Sequence, residues 1–278
     1  MKGFKSPIDA YTLRARLVPA IIAGAPAFAF AAIFVSWGSI GLTHLIAGIA
    51  LTVLFAVFAD IARRRGRAIE PSLVAKMGGL PTTVMLRHSD TTHDVATKTA
   101  FHKFIAAKLE EPAPSAEDEA ADPEKADAYY ARGATWLREN TRSTKKFDVL
   151  FNENISYGFR RNLLGLKVSG FLLNAFIVLV CLVVFWLRWP VDWSNEFNAK
   201  LLAVIVVAAL HAGYLAIFVT EKSVFDAARI YARQLLLSSQ SPHLNKAAKV
   251  NKPASRPRVA PAKKMKDAEP SAPLPDQS

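Results

Sequence analysis

At 278 residues, with a formal net charge of +12 and 51% hydrophobic residues, the chain gathers its apolar side chains into runs instead of spreading them over one core. The basic residues sit beside those runs or in the tail, without the interleaved aromatics that stack on bases, so no nucleic-acid partner is expected. The single cysteine, Cys181, excludes an intrachain disulfide and a cysteine cage for a metal.

Residues 17–36 are twenty residues without a charge. At about 1.5 Å per residue a helix of that length covers the roughly 30 Å hydrocarbon core of a bilayer. Lys2, Lys5, Arg14 and Arg16 precede it. A basic segment before an apolar run also describes a secretory signal peptide, and Ala27-Phe28-Ala29 offers a cleavage site. The run is far longer than the apolar part of such a signal and carries Pro19 and Pro26, so a retained helix is expected. Its Ala23, Ala27 and Ala31 form one face of small side chains suited to close helix contact, and Ala20, Gly24 and Ala32 form another.

The uncharged stretch 37–43 holds two glycines and reads as a tight link. The second span, 45–59, is short, and needs Thr43 and His44 at one interface and Asp60 with Ile61 at the other. Arg63, Arg64, Arg65 and Arg67 follow at once. Such a cluster marks the cytoplasmic end of a span and is held there by anionic lipid. The third span, 163–186, is interrupted only by Lys167, and the fourth, 201–219, has no formal charge. Basic residues crowd the N-terminal segment, the end of the second span and the start of the third. The two short links hold only Arg188. Both termini and the long central segment are therefore expected to be cytoplasmic, with Trp186, Trp189 and Trp193 at the outer headgroup level.

Residues 62–162 read as a mainly helical cytoplasmic insertion. Pro71 and the sequence Gly78-Gly79-Leu80-Pro81 should break the helix that leaves the membrane, and 82–86, which has the composition of a short strand but no partner strand, reads as loop. Asp90-Thr91-Thr92 offers an N-cap to an amphipathic helix ending near Glu111. Phe101, Phe104, Ile105 and Leu109 form its stripe, with Lys98, His102 and Lys103 turned elsewhere. Residues 112–121 form an acidic connector rich in proline and alanine. Asp122-Pro123-Glu124 reads as N-cap, N1 proline and first-turn acid of a helix through Tyr129, Tyr130, Trp136 and Leu137. From Phe147 a helix should run into the membrane, bending at Gly158, with Arg160 and Arg161 at the inner interface and Lys167 snorkelling from one turn inside. Glu153 is placed to pair with Arg160 or Arg161 and so set the cytoplasmic helices on the spans. The alternative is a solvated collar.

No proline interrupts 200–240, so the fourth span should continue as one long helix. Its Val224, Ala228, Tyr231 and Leu235 share an apolar side, and Lys222, Asp226, Arg229 and Arg233 share another. Residues 243–278 hold six prolines and eight Lys or Arg, the composition of a disordered basic tail.

The fold class expected is an all-α integral membrane protein. Four transmembrane helices form two hairpins, with a mainly helical cytoplasmic insertion between helices two and three and a disordered basic C-terminal tail. The segments are a cytoplasmic N-terminus (1–16), a first hairpin (17–61), the insertion (62–162), a second hairpin (163–220), an amphipathic helix continuing the fourth span (221–240) and the tail (241–278). A bacterial inner membrane is the location this pattern fits.

His88, His93, His102 and His243 lack the spacing of a zinc-binding helix. No nucleophile elbow or phosphate-loop spacing occurs, so no catalytic residue and no cofactor is expected. The polar candidates inside spans are His44, His211 and Tyr214, together with Lys167, Asn174 and Cys181, which lie seven apart and share one face of the third span. Two functions fit. The first is a non-enzymatic scaffold or sensor whose cytoplasmic helices, some coiled-coil-like, bind a protein partner or self-associate, with anionic lipid at the cytoplasmic face. The alternative is an oligomeric pore or membrane-disrupting effector, gated through the cytoplasmic region and lined by that stripe. A membrane-embedded enzyme ranks third.

Overall fold

A computed structural model of the chain describes residues 10–34 and 42–245, which are all-helical with no strand among them. Lys2, Lys5, the glycines of the expected link and the tail residues 246–278 lie outside the described residues.

Helix α1 (Ala10–Phe34) runs through both of its prolines. Its Leu13–Leu17 stretch is wound as a π-helix, with the Val18 N–H reaching the Leu13 carbonyl, and Pro19, which has no N–H to donate, follows this wider turn. Helix α2 (Leu42–Lys76) is a single helix of 35 residues. The break expected at Pro71 does not occur. The helix ends after Lys76, where Gly78 and Gly79 take φ of 77° and 129°, conformations that favour glycine. The start of the 82–86 stretch, read as loop, belongs instead to one helical turn, α3 (Pro81–Val84), because Pro81 supplies a preset first position after an extended Leu80.

Helix α4 (Val95–Leu109) starts later than its sequence signal suggests. Asp94 is the cap, accepting from the Thr97 N–H at 2.9 Å, whereas Asp90 folds onto the Thr92 N–H at 2.8 Å and closes its own turn. The acidic connector contains a short helix, α5 (Ala116–Ala121), nucleated by a reciprocal capping box between Ser115 and Asp118. Helix α6 (Pro123–Asn140) opens with Asp122 as cap and Pro123 at its first position.

Helix α7 (Asp148–Leu187) is forty residues long. Gly158 does not interrupt it. A Cβ there would lie 2.8 Å from Tyr11 Oη and 3.1 Å from Ala15 Cβ, so this glycine serves a close approach of α1. Helices α8 (Glu196–Phe218) and α9 (Glu221–Leu237) are separate, which corrects the expectation of one long helix. Thr220 is extended and caps α9 through Ser223, whose own hydroxyl donates back to the Thr220 carbonyl at 2.9 Å. This local pairing competes with helix continuation.

Three of the described helices, α1, α7 and α8, are long and apolar enough to cross a membrane. They form an apolar bundle with the first half of α2. Helices α3 to α6, α9 and the foot of α7 form a polar lobe. The lobe core holds Leu86, Phe101, Ile105, Tyr130, Leu235 and Leu236, all fully buried or nearly so, and truncating one of its leucines to alanine costs about 2–5 kcal/mol. The bundle is filled by three smaller clusters. Ala20, Phe58, Ala62 and Leu166 form the first, Ile177, Cys181, Leu201 and Val204 the second, and Leu163, Leu215 and Val219 the third. The buried stripe of α8 is Leu201, Val204, Ala208, His211 and Leu215, a three-four repeat, so of its run of alanines and glycine only Ala208 is fully buried.

Candidate functional site

The seam where lobe meets bundle brings four helices together through side chains far apart in sequence. On α2, Glu70 accepts from Arg161 Nη1 and from Tyr157 Oη, both at 2.8 Å, through one carboxylate oxygen. Arg161 and Tyr157 are one turn apart on α7, and the guanidinium lies 5.3 Å from the tyrosine ring centre. The ring also stacks with Tyr231 of α9, nearly parallel with centres 6.3 Å apart. One position beyond Arg161, Asn162 is buried and donates to the Ala15 carbonyl of α1 at 2.7 Å. The side chain of Arg161 is only 14% exposed, so its charge is compensated within the protein and not by water.

Among the described residues no ion pair joins Glu153 to Arg160 or Arg161. Seven or eight positions along one helix separate side chains by about 10–12 Å, beyond carboxylate reach. Arg161 turns instead to α2, and Arg160 is exposed. Of the arginine cluster, Arg64 pairs with Asp60 at 2.8 Å on the exposed face, while Arg65 borders the α2–α7 crossing. Arg63 and Arg67 are exposed.

Deeper in the bundle, the stripe of Lys167, Asn174 and Cys181 faces α8. Asn174 is buried and contacts His211 Nδ1 at 3.0 Å, Cys181 is fully buried, and Lys167 Nζ donates to the Val219 carbonyl at 2.9 Å. That carbonyl is available because α8 stops there. Asn174→Leu leaves His211 without this partner and is expected to lower thermal stability in detergent by about 0.6–2 kcal/mol. A melting temperature at or above wild type would show that the pair does not hold α7 to α8. Tyr214 stacks on Phe218 at 5.8 Å and packs against the third bundle cluster. His44 lies in α2, and its side chain is outside the described residues.

In the lobe, α4 buries both Lys98 and His102, which the stripe reading turns elsewhere. Lys98 Nζ is caged by main-chain carbonyls, donating to Arg87 at 2.7 Å and to Asp90, and so pins the 86–90 turn. His102 meets the Leu86 carbonyl at 2.8 Å and stacks on Tyr130. Tyr130 donates to Glu119, which also accepts from the His88 N–H, and Arg87 forks onto Asp127 at 2.8 and 2.5 Å. His88 and His102 are 4.9 Å apart ring to ring, yet among the described residues no group of three metal-ligating side chains assembles. Burial, then the hydrogen bond to Glu119, pushes the Tyr130 phenol well above its ordinary value, which keeps it a neutral donor.

Burial also depresses the imidazoles of His102 and His93, the latter further through Arg233. The unfolded chain binds these protons below about pH 6.5 and the folded lobe resists them. Stability is therefore full above that pH and falls as pH drops through it toward the depressed folded values, by up to about 1.4 kcal/mol per pH unit for each histidine. Melts of the full chain between about pH 7.5 and about pH 5 should record this fall, and His102→Gln should reduce its slope.

A cleft of about 340 Å3 opens between α3 and α9, lined by Met77, Val84, Met85, Arg229, Ile230 and Arg233 among others. Comparison with protein-family models, curated proteins and solved structures finds no match. The seam and the cleft thus stand on their own geometry. Glu70 and Asn162 escape sequence reasoning because their partners are on other helices. For Glu70 the local signal is a carboxylate five positions beyond three consecutive arginines, on a helix that leaves a span.

Proposed function

We propose that this chain is a non-enzymatic scaffold or sensor of a bacterial inner membrane, crossing it four times and carrying its lobe on the cytoplasmic face. There the lobe binds a protein partner or a further copy. Both termini lie on that face, and anionic lipid meets Arg63, Arg65, Arg67, Arg160 and Lys167. The fourth crossing is the first half of α2, whose Leu45, Ile46, Ile49, Val53 and Val57 are all exposed, an arrangement that favours lipid over water. The orientation is supported by arginines at the lobe end of the spans and exposed Trp186, Trp189 and Trp193 at the other.

The observation that carries the reading is α7. One helix, about 60 Å long at the helical rise, contributes Leu150 to the lobe core and Leu163, Leu166, Ile177 and Cys181 to the bundle clusters. A lobe mounted in this way follows its spans as one body, the property that a docking platform or a sensor needs. The test uses the full chain in lipid nanodiscs with spin labels at Val95→Cys and Leu187→Cys in a Cys181→Ala background. A single narrow distance distribution is expected, and sealed vesicles carrying the protein should hold a potassium gradient as well as empty ones. A broad distribution would overturn the rigid mounting, and potassium flux would move the assignment to a pore.

A further inference from the structure

We propose that the cleft between α3 and α9 receives a second copy of this chain, and that its occupant is the acidic segment 110–124 of that copy. The proposal rests on the docking reading above and names its partner. Arg229 and Arg233 lie one turn apart on α9, both exposed, and among the described residues neither has a carboxylate within ion-pair distance. Lys76, Arg87, Arg132, Arg142 and Arg161, by contrast, each hold one. Ile230, between the two arginines, is 52% exposed and lines the cleft with Met77, Val84 and Met85, and the carboxylate that also lines it, Asp90, is folded onto the Thr92 N–H and hydroxyl. A guest that matches this surface carries carboxylates beside small apolar side chains.

The chain contains such a guest. Residues 110–124 read EEPAPSAEDEAADPE. Glu110, Glu117 and Glu124 are exposed, with no cation in ion-pair distance among the described residues, and exposed Pro112, Ala116 and Ala120 lie between them. Within its own copy the segment is tied down elsewhere. Glu111 holds Arg132, and Glu119 holds Tyr130 and the His88 N–H, while none of the residues lining the cleft belongs to the segment. The surface that gives and the surface that receives are therefore different, so the contact is head to tail and propagates between neighbouring copies in the plane of the membrane.

The test is a charge exchange in the full chain, read by light scattering in detergent at low ionic strength. Wild type should associate, and should do so less as salt screens the contact. Arg229→Glu with Arg233→Glu, or Glu117→Arg with Glu124→Arg, should each weaken association by about tenfold or more. Mixing these two variants should restore pairing, because the cleft left unaltered in one meets the acidic segment left unaltered in the other, and the acidic cleft meets the basic segment. The restored pair also shows that both variants are folded. As a second measurement, Ile230→Cys and Ala120→Cys chains lacking Cys181 should form an intermolecular disulfide when mixed. A monomeric wild type, reversed variants that associate unchanged, or reversed variants with wild-type melting that stay apart when mixed would overturn the proposal. So would a monomeric wild type whose arginines instead bind vesicles of anionic lipid. The spin-label distance that tests the mounting is read within one copy, so the two readings fail separately.

Discussion

Placing a side chain at Gly165 is expected to unseat α2 from α7. A Cβ at that position would lie 2.6 Å from the Gly66 nitrogen, 2.9 Å from the Arg65 carbonyl carbon and 3.1 Å from Arg65 Cβ. Two of these atoms are backbone, so no rotamer change relieves the clash and the helices must separate. Gly66 faces the same crossing, where a Cβ would run into Asn162 Oδ1. Close backbone approach through small residues is how helices associate where lipid removes the hydrophobic drive between them. Gly165→Ala should lower stability by about 1–3 kcal/mol, the usual range for overpacking. Gly165→Leu should prevent a cooperative melt altogether, since the crossing also positions Glu70 and Asn162. The controls are Gly48→Ala and Gly213→Ala, whose added methyl groups meet nothing within 4 Å. Both lie inside helices and should be neutral or slightly stabilising, by less than about 1 kcal/mol. Thermal melts in one detergent separate the outcomes, and a wild-type melt for Gly165→Leu would sink the crossing as described.

What could be read from the sequence follows how far each determinant reaches along the chain. The apolar runs 17–36, 163–186 and 201–219 fall largely in helices long enough to cross a membrane, because composition alone decides that. The start of α6 was legible in Asp122 and Pro123, and the buried face of α9 in Val224, Ala228 and Leu235, since caps and periodicity act within a few residues. The persistence of α2 past Pro71 was not. A proline inside a helix costs about 3 kcal/mol locally, and what offsets it here includes a carboxylate one position earlier that meets an arginine 91 residues away. Lys98 shows the same limit. Its spacing placed it off the apolar stripe, yet the 86–90 turn folds over it and supplies the carbonyls that make burial tolerable. The stop of α8 at Val219 depends on Thr220 and Ser223 pairing with each other, a signal present in the sequence but outweighed there by the unbroken apolar pattern.

Removing the Glu70 carboxylate should cost more than removing any other single charge at the seam. Glu70→Ala leaves Arg161 largely buried, with Tyr157 lacking its acceptor and with Arg161 Nε already unpartnered in the native state. Breaking a buried pair from one side costs about 3–5 kcal/mol, and because Glu70 itself is 33% exposed the low end of that range applies. Replacing the whole cluster by apolar groups is a different case. Glu70→Met with Arg161→Met and Tyr157→Phe removes the stranded charge together with its partner, and should be less damaging than Glu70→Ala alone. Glu153→Ala, by contrast, touches neither member of the pair and should shift stability by no more than about 0.5 kcal/mol. The comparison discriminates between the two carboxylates that could have set the lobe on the spans. If melts in detergent show Glu153→Ala matching or exceeding Glu70→Ala, the partner of Arg161 is on its own helix, and the junction between α2 and α7 loses the contact that carries α2 past its proline.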